Sequence, residues 1–269
     1  MKNGFMQNPV MAFFNSFGKS PLDFIQSLGK ISAFLVFSVV GIFAKKQLQN
    51  ILRHVYYIGV RSISIVMLVG LFTGMVLGLQ LYYTLVQFGS TGVLGSAIGL
   101  TLVRELGPVL TAIMVTARAG SAMTTEIGIQ RITEQIDALF TMGVNPRRYL
   151  VSPRIAAAVI SFPILTGLFD LVGFMGGYIT GVVLMGLDSG AYFYRLQSSI
   201  TLVDLNGGFI KSVVFALIVS TACCYNGFYT HLRKDSFGAK AVGLSTTTAV
   251  VVSCVWILIS DYIVTSFLM

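Results

Sequence analysis

Residues 62–103 read SISIVMLVGLFTGMVLGLQLYYTLVQFGSTGVLGSAIGLTLV and contain no Asp, Glu, Lys or Arg. A helix needs about 20 apolar residues to cross ~30 Å of hydrocarbon, so this stretch is long enough for two crossings. The turn-rich segment 87–95 divides it, because glycine and serine favour turns. The stretch therefore predicts two membrane-spanning helices, near residues 63–86 and 94–117.

The composition of the whole chain predicts an integral membrane protein. Of the 269 residues, 55% are hydrophobic and 10% are charged, and the mean hydropathy is +0.83. An average soluble domain carries about 25% charged residues, so a water-soluble enzyme is excluded. Further apolar segments predict spans near residues 155–187, 209–229 and 241–267. The predicted fold class is an all-α integral membrane protein with five transmembrane helices.

An apolar run near the N-terminus is shorter than these spans. Residues 31–44 lie between Lys30 and the pair Lys45 and Lys46, and these 14 residues suit a helix in the membrane interface whose lysines reach the headgroups. The alternative is a short true span. The interfacial interpretation divides the chain into an N-terminal segment, residues 1–54, and a membrane domain, residues 55–269.

The basic residues predict which side of the membrane each loop faces. Counting Lys and Arg between the predicted spans puts fifteen on one side, one on the other and two within or at the edge of spans. Because cytoplasmic loops carry the excess of Lys and Arg, the N-terminus is predicted to be cytoplasmic and the C-terminus to lie outside. The same rule accounts for the net charge of +8 without a nucleic-acid partner.

The largest predicted cytoplasmic loop, residues 118–154, contains apolar residues at helical spacing. Gly143 follows them where a helix end favours a left-handed residue. The pattern predicts a short amphipathic helix flanked by polar turns, which either lies flat on the bilayer or docks with a cytoplasmic partner. The spacing of Asp137, Gly143 and Pro153 resembles the EAA loop by which importer-type permeases dock to an ATPase. The apolar positions are Ile129, Ile132, Ile136, Leu139 and Phe140.

Ionisable residues also occur within the predicted spans. Arg104 and Glu105 lie in the second span, Asp170 in the third, and Lys211 begins the fourth. A charge at a helix centre costs about 2.5–3.5 kcal/mol, so these side chains should face protein or water. Two interpretations stay open. Either Glu105 pairs with Lys211 or Arg104 and locks the bundle, or the charges line a substrate cavity or gate.

The first predicted span has two distinct faces. Gly70, Gly74 and Gly78 recur every four residues, a spacing that allows close helix contact. That contact lies either across a dimer axis or within one subunit. The other face carries apolar side chains suited to lining a cavity for acyl chains. These are Leu71, Met75, Leu79 and Tyr82.

The sequence predicts no catalytic, metal or nucleotide site in this chain. His54 and His231 have no metal-ligand spacing, and the G-x-x-x-x-G-K-[ST] motif of nucleotide-binding loops does not occur. If ATP drives this protein, the ATP is bound by another chain.

Five segments in order resemble the MlaE/YrbE family of ABC-transporter permeases. The resemblance extends from residue 48 to the C-terminus. The segments are TGMVLGLQ (73–80), LVRELGPVLTAIMVTARAGSAMTTEIG (102–128), TEQIDALFTMGVNPRRYLVSPR (133–154), GGYITGV (176–182) and IKSVVFAL (210–217).

This resemblance implies a homodimeric permease of the bacterial inner membrane, with a separate ABC ATPase docked on the loop between spans 2 and 3. It also implies a periplasmic ring of Mce-domain proteins and, in many members, a STAS-domain protein on the ATPase. The expected substrate is phospholipid or a related lipid, moved between the inner membrane and periplasmic carriers to maintain outer-membrane asymmetry.

By position, the resemblance places Arg104, Glu105 and Lys211 beside the lipid cavity. A stand-alone secondary transporter or channel using intramembrane carboxylates is the alternative, but it predicts inverted repeats that the sequence does not show. The residues expected to couple to the ATPase are Glu126, Arg131, Glu134, Asp137, Leu139 and Gly143.

Overall fold

The computed structural model describes residues 29–41, 48–232 and 237–268. Within these ranges the chain forms helices and turns and no strand. Five helical segments are long and apolar enough to cross a membrane, which confirms the predicted fold class. They are Leu48–Gln87, Thr91–Ile132, Arg147–Leu184, Leu202–Phe228 and Gly238–Leu268.

Several of these segments are helices joined end to end. Turns of π-helix, wider than the α-helix, interrupt them at Leu102–Leu106, Thr116–Gly120, Arg147–Val151 and Ile179–Leu184. Numbered along the described chain, the α-helices are α1 (Gly29–Val40), α2 (Leu48–Ile58), α3 (Ile63–Gln87), α4 (Leu94–Thr101), α5 (Gly107–Val115), α6 (Ser121–Ile132), α7 (Gln135–Thr141), α8 (Ser152–Tyr178), α9 (Ser189–Ser199), α10 (Leu202–Phe228) and α11 (Gly238–Leu268).

The glycine face of α3 packs against α8 of the same chain. A Cβ atom added at Gly70 would lie 2.9 Å from the carbonyl oxygen of Phe169, and one at Gly74 would collide with the carbonyl oxygen of Gly173. At Gly78 the nearest atom would be Cβ of Thr180, at 3.1 Å. The two backbones therefore approach more closely than side chains would allow. Of the two interpretations of this face, the structure shows packing within one subunit.

The second span is longer than the sequence predicts. Its helix continues through π-helical turns and α6 to Ile132 instead of ending near residue 117. Polar groups in the extension have partners on neighbouring helices. Nη1 of Arg118 donates to the Tyr57 carbonyl oxygen at 3.0 Å, and the Thr124 hydroxyl donates to the Cys223 carbonyl oxygen at 3.1 Å. Because these partners replace water, the helix continues where the apolar sequence ends.

The predicted amphipathic helix of the loop is in fact two helices. The helix is interrupted after α6 because Glu134 adopts left-handed backbone, with φ of 59°, and α7 begins at the next residue, Gln135. Ile129 and Ile132 belong to α6, whereas Leu139 belongs to α7. Periodicity alone missed this break, since neither Gly nor Pro marks it.

The residues after α7 follow the prediction. Gly143 has φ of 73°, the left-handed conformation that glycine adopts without strain. The amide of Val144 donates to the Leu139 carbonyl oxygen at 3.0 Å, which closes the end of α7.

Helix α1 contains the first part of the predicted interfacial run, and residues 42–44 of that run lie outside the described residues. Phe34 is buried against the rings of Tyr225, Phe228 and Tyr229 at the end of α10. The Ser152 hydroxyl donates to the Ser38 carbonyl oxygen at 2.7 Å. These contacts hold α1 against the end of the bundle where α8 begins. The predicted division at residue 54 falls within α2, and it stays a prediction.

Helix α9 lies in the segment that the sequence predicts as the loop between spans 3 and 4. The Asp188 carboxylate caps its first turn by accepting from the Ala191 amide at 2.7 Å. Tyr192 is buried and donates to the Phe174 carbonyl oxygen at 3.0 Å. A short helix is therefore fastened across the end of the bundle where α10 begins.

Candidate functional site

A polar cavity of ≈ 360 Å³ opens at the end of the bundle where α10 begins and α11 ends. We call it the polar cavity. Arg104, Glu105 and Lys211, which the sequence predicts to lie together, all line it. Its lining is Arg104, Glu105, Thr201, Val203, Asp204, Gly207, Gly208, Lys211, Thr265 and Leu268.

Lys211 holds three helical segments together at the base of this cavity. Its side chain is only 3% exposed, and its Nζ lies 2.8 Å from Oε2 of Glu105 and 3.0 Å from Oδ1 of Asp261. The Thr265 hydroxyl donates to the other Glu105 oxygen at 3.3 Å. Two carboxylates on different segments therefore share one ammonium group, and a buried charge of this kind needs such partners.

The Pro108 ring explains why Lys211 also reaches the backbone. Proline has no N–H group, so Pro108 donates nothing to the carbonyl of Arg104, four residues earlier. Lys211 Nζ instead donates to that carbonyl oxygen at 2.8 Å. Gly208 allows the approach of α10, because a Cβ there would lie 2.6 Å from the Val103 carbonyl oxygen.

Arg104 is the cation that the cavity exposes. Its Nε lies 2.7 Å from Oδ1 of Asp204, and its side chain is 42% exposed whereas that of Asp204 is 9% exposed. The Asp204 carboxylate is itself held by Thr201, whose hydroxyl donates to Oδ2 at 2.7 Å. Asp204 orients the guanidinium and leaves much of it open to a ligand.

Sequence reasoning missed Asp261, Asp204, Thr265 and Thr201. Asp261 could have been found by the rule that found Glu105, because it is an acid within a predicted span. Asp204 and Thr201 form a capping box at the start of α10, with Thr followed by an acid three residues later. Thr265 carries no signal of its own in an apolar helix.

The apolar face predicted on span 1 does not line the polar cavity. Leu71 and Met75 lie where α3 crosses α8: a Cβ added at Gly176 would meet the Leu71 carbonyl oxygen and the Met75 amide. Leu79 and Tyr82 are likewise absent from the lining. A separate apolar groove of ≈ 440 Å³ runs between α3 and α5, and it is lined by Leu68, Val69, Phe72, Thr73, Val76, Leu77, Leu106 and Leu110. The lipid-lining role of the four predicted residues stays a prediction.

The predicted coupling residues lie at the opposite end of the bundle. Nη1 of Arg131 lies 2.7 Å from the Asp137 carboxylate, which ties α6 to α7 across the break at Glu134. Glu126 instead pairs with the buried Arg154 at 3.0 Å, away from the α6–α7 turn. Leu139 is half-buried, Gly143 ends α7, and the ATPase role of the whole set stays a prediction.

An exposed apolar surface accompanies the α6–α7 turn. Phe140 is 55% exposed and Met142 is 68% exposed, although both belong to a polar loop rather than to a span. We call Phe140 and Met142, with the exposed Ile129, the loop patch. Exposed apolar side chains on a loop mark a surface that either another protein or the membrane covers, so both interpretations of the predicted loop helix stay open.

His231 fastens the loop to the end of α10. Arg131 Nε donates to Nδ1 of His231 at 2.9 Å. Burial and the adjacent Arg131 charge lower the pKa of His231 below its usual value, which favours the neutral ring that can accept this bond.

Arg147 joins the same loop to α1 and α10. Its Nη2 donates to the Tyr229 hydroxyl at 2.9 Å, and its guanidinium lies over the Phe34 and Phe228 rings. The loop, α10 and α1 therefore form one connected unit.

Among the described residues, no three His, Cys, Asp or Glu side chains are grouped to hold a metal ion.

The family model described as Permease MlaE matches residues 51–267. A Rickettsia felis protein named as a probable ABC transporter permease is 40% identical over 252 residues, covering 93% of this chain and 95% of the relative. The Haemophilus influenzae intermembrane phospholipid transport system permease protein MlaE is 37% identical over 264 residues, covering 96% and 98%. An Arabidopsis thaliana chloroplast protein, TRIGALACTOSYLDIACYLGLYCEROL 1, is 33% identical over 219 residues, covering 81% and 61%. With its five apolar spans, this multi-pass membrane protein belongs to the MlaE family of ABC-transporter permeases.

Proposed function

We propose that this chain is the membrane subunit of an ABC transporter that moves phospholipid between a bacterial inner membrane and periplasmic lipid carriers, so maintaining outer-membrane lipid asymmetry. The observation that carries the proposal is the polar cavity, where an accessible guanidinium lies beside apolar helix ends. The name of the Haemophilus influenzae relative supports phospholipid as the substrate class.

The cavity suits the phosphate group of a lipid. Arginine presents a planar set of donors that matches phosphate oxygens. Arg104 pairs with Asp204, but its guanidinium stays partly exposed to the cavity. Lys211 is enclosed by two carboxylates, so it positions the helices and does not contact the lipid. Leu268 and Val203 offer apolar surface to the start of the acyl chains.

Force would reach this cavity from the opposite end of the bundle. The loop patch offers an ATPase subunit apolar surface, and the Arg131–Asp137 ion pair joins α7 to α6. Because α6 continues the second span, a push on α7 moves the same helical segment that carries Arg104 and Glu105. The ATPase, and not this chain, binds and hydrolyses ATP in this proposal, so the chain needs no cofactor.

The proposal includes the remaining partners and the orientation. The chain acts as a homodimer, with the loop patch and the N-terminus cytoplasmic and the polar cavity and the C-terminus facing the periplasm. This orientation follows the excess of Lys and Arg at the loop end. A Mce-domain protein receives or delivers lipid above the cavity, and a STAS-domain protein binds the ATPase.

We expect Arg104→Gln to lower lipid transport about tenfold or more, since a charge-assisted hydrogen bond contributes about 1.5–3 kcal/mol and 1.4 kcal/mol is a factor of ten. The melting temperature should change little, because Thr201 still holds Asp204. The measurement is ATP-dependent transfer of fluorescent phospholipid by the purified complex in proteoliposomes. Arg195→Gln is the matched control, an exposed arginine outside the cavity. Equal transport by both variants would contradict the role of Arg104.

We expect Phe140→Ser to weaken ATPase binding about 30-fold. Truncating an apolar anchor at an interface costs about 2 kcal/mol, and that free energy corresponds to this change in Kd. The amount of ATPase that co-purifies with the tagged chain at matched expression measures the effect. Leu202→Ser, which changes an exposed apolar residue at the other end of the bundle, is the control. Normal ATPase recovery with Phe140→Ser would show that the loop patch is not the docking surface.

Purification of the tagged chain from its native membrane tests the proposal as a whole. We expect mass spectrometry to identify an ABC ATPase, a Mce-domain protein and bound phospholipid. Repeated recovery of the chain alone under several mild detergents would overturn the ABC assignment and favour a secondary transporter that uses Glu105 or Asp170.

A further inference from the structure

A second cavity, of ≈ 620 Å³, lies at the end of the bundle opposite the polar cavity. We call it the basic cavity. Arg53, Arg61 and Arg154 line it from α2, the turn after α2, and α8, and Glu126 is the one carboxylate in its lining. Three guanidinium groups therefore face a shared space with one acid. The proposed transport mechanism does not use this space.

The single acid does not neutralise the cavity. Oε2 of Glu126 lies 3.0 Å from Nη2 of Arg154, so one carboxylate is already assigned to one guanidinium. Arg53 makes no ion pair or hydrogen bond among the described residues, and Arg61 only lies over the Tyr57 ring at 5.4 Å. The guanidinium groups of Arg53 and Arg61 are therefore available to a ligand, and an anionic ligand would form charge-assisted hydrogen bonds with them.

A buried donor and a buried acceptor are also left without partners here. Arg154 is 2% exposed, and Leu150 and Glu126 occupy its terminal nitrogens, but its Nε has no hydrogen-bond partner among the described residues. Oε1 of Gln130, which also lines the cavity, likewise has none. Buried polar groups are normally paired, so these two atoms indicate a ligand that accepts from Arg154 and donates to Gln130.

The depth of the cavity points to a lipid as the source of that ligand. Arg61 is the last charged residue before the 62–103 stretch, and Arg118 is the first charged residue after Glu105 in the second span. Arg118 donates to the Tyr57 carbonyl oxygen, beside the cavity. The cavity thus lies where the apolar part of the bundle begins. Tyr56, Tyr57 and Tyr149 also line it, and tyrosine concentrates at the headgroup level of membranes.

We propose that the basic cavity binds the phosphate group of an anionic phospholipid from the adjacent, cytoplasmic leaflet. The guanidinium groups hold the phosphate, and Gln130 accepts from a hydroxyl of the headgroup. Excess positive charge selects an anionic lipid over a zwitterionic one. The inference rests on the proposed orientation of the chain and not on lipid transport through the polar cavity.

Native mass spectrometry of the intact complex tests this proposal, with phosphatidylglycerol and phosphatidylethanolamine of matched acyl chains as probes. We expect the wild type to retain phosphatidylglycerol preferentially. The double substitution Arg53→Gln and Arg61→Gln should weaken that retention at least about tenfold, since each cation near a membrane surface contributes about 1 kcal/mol to anionic lipid binding and 1.4 kcal/mol is tenfold. Both side chains are exposed, so the fold should persist. Lys240→Gln, an exposed cation outside the cavity, is the matched control.

Four results would overturn the proposal. Equal retention of phosphatidylglycerol by the double variant and the Lys240 control would show that the basic cavity does not bind the lipid. Loss of retention in Arg104→Gln, but not in the double variant, would place the lipid in the polar cavity and leave the proposed function standing. Displacement of the lipid by inorganic phosphate at equal concentration would make this a site for soluble phosphates. A double variant that retains lipid but loses the ATPase would make it a protein-docking surface.

Discussion

Replacing Lys211 with methionine is expected to lower the stability of the helical bundle strongly. The substitution leaves Glu105 and Asp261 facing one another without the ammonium group that lies 2.8 Å and 3.0 Å from them. Removing one partner of a buried ion pair costs about 3–5 kcal/mol, and we expect the lower end of that range because Glu105 is partly exposed. Thermal unfolding of the detergent-solubilised protein measures the loss.

A compensated variant separates structure from transport at this cluster. Lys211→Met combined with Glu105→Gln and Asp261→Asn removes the charges together, so we expect most of the lost melting temperature to return. Lys240→Met, which changes an exposed lysine at the other end of the bundle, is the control and should unfold like the wild type. If Lys211→Met alone unfolds at the wild-type temperature, the ion pairs do not hold the bundle. If the compensated variant also transports normally, the cluster has only a structural role.

Replacing Gly74 with alanine is expected to separate α3 from α8. The added Cβ would collide with the Gly173 carbonyl oxygen, and backbone has no alternative rotamer with which to give way. Overpacking costs about 1–3 kcal/mol, and we expect the upper end of that range because both contacting groups are main chain. A lowered melting temperature and a reduced yield of folded protein report the change.

Gly243 provides the matched control for this substitution. It lies in α11, and an added Cβ meets nothing within 4 Å, so Gly243→Ala should not lower the melting temperature. Wild-type stability for Gly74→Ala would contradict the packing of α3 on α8. If Gly74→Ala abolishes the dimer but leaves the stability of the single chain unchanged, the glycine face would instead lie at a dimer axis.

Much of the fold could be predicted from the sequence because a membrane imposes a simple rule. Apolar helices must be about 20 residues long to cross it, and the segments around 63–86, 209–229 and 241–267 meet that rule without reference to tertiary contacts. Gly143 could be predicted as a helix end for an equally local reason, since its conformation suits glycine. The break at Glu134 escaped prediction because the residue itself does not favour left-handed backbone.

The candidate site likewise contains residues that the sequence predicts and residues that only the packing of the helices brings together. Arg104, Glu105 and Lys211 could be singled out from the sequence because a charge within a span is costly wherever it lies. The pair of Glu105 with Lys211 is one of the two pairs that the sequence suggests. The second acid could not be assigned, because Asp261 is 156 residues from Glu105 in the chain and only the packing of α11 beside α10 brings both carboxylates to one lysine. The apolar lining proposed on α3 shows the same limit, since periodicity defines the faces of a helix but not which neighbour each face meets.

A five-span membrane protein with charges inside its spans and a basic loop on one side can be predicted from the order of the residues. Hydrophobicity, length and the cost of burying charge are properties of single segments, so composition and spacing carry them. Three further features became visible in the folded chain: Lys211 is enclosed while Arg104 is exposed, the glycines of α3 meet α8, and three arginines from separate segments share the basic cavity. Those outcomes depend on contacts between residues far apart in the chain, and helix packing alone specifies them.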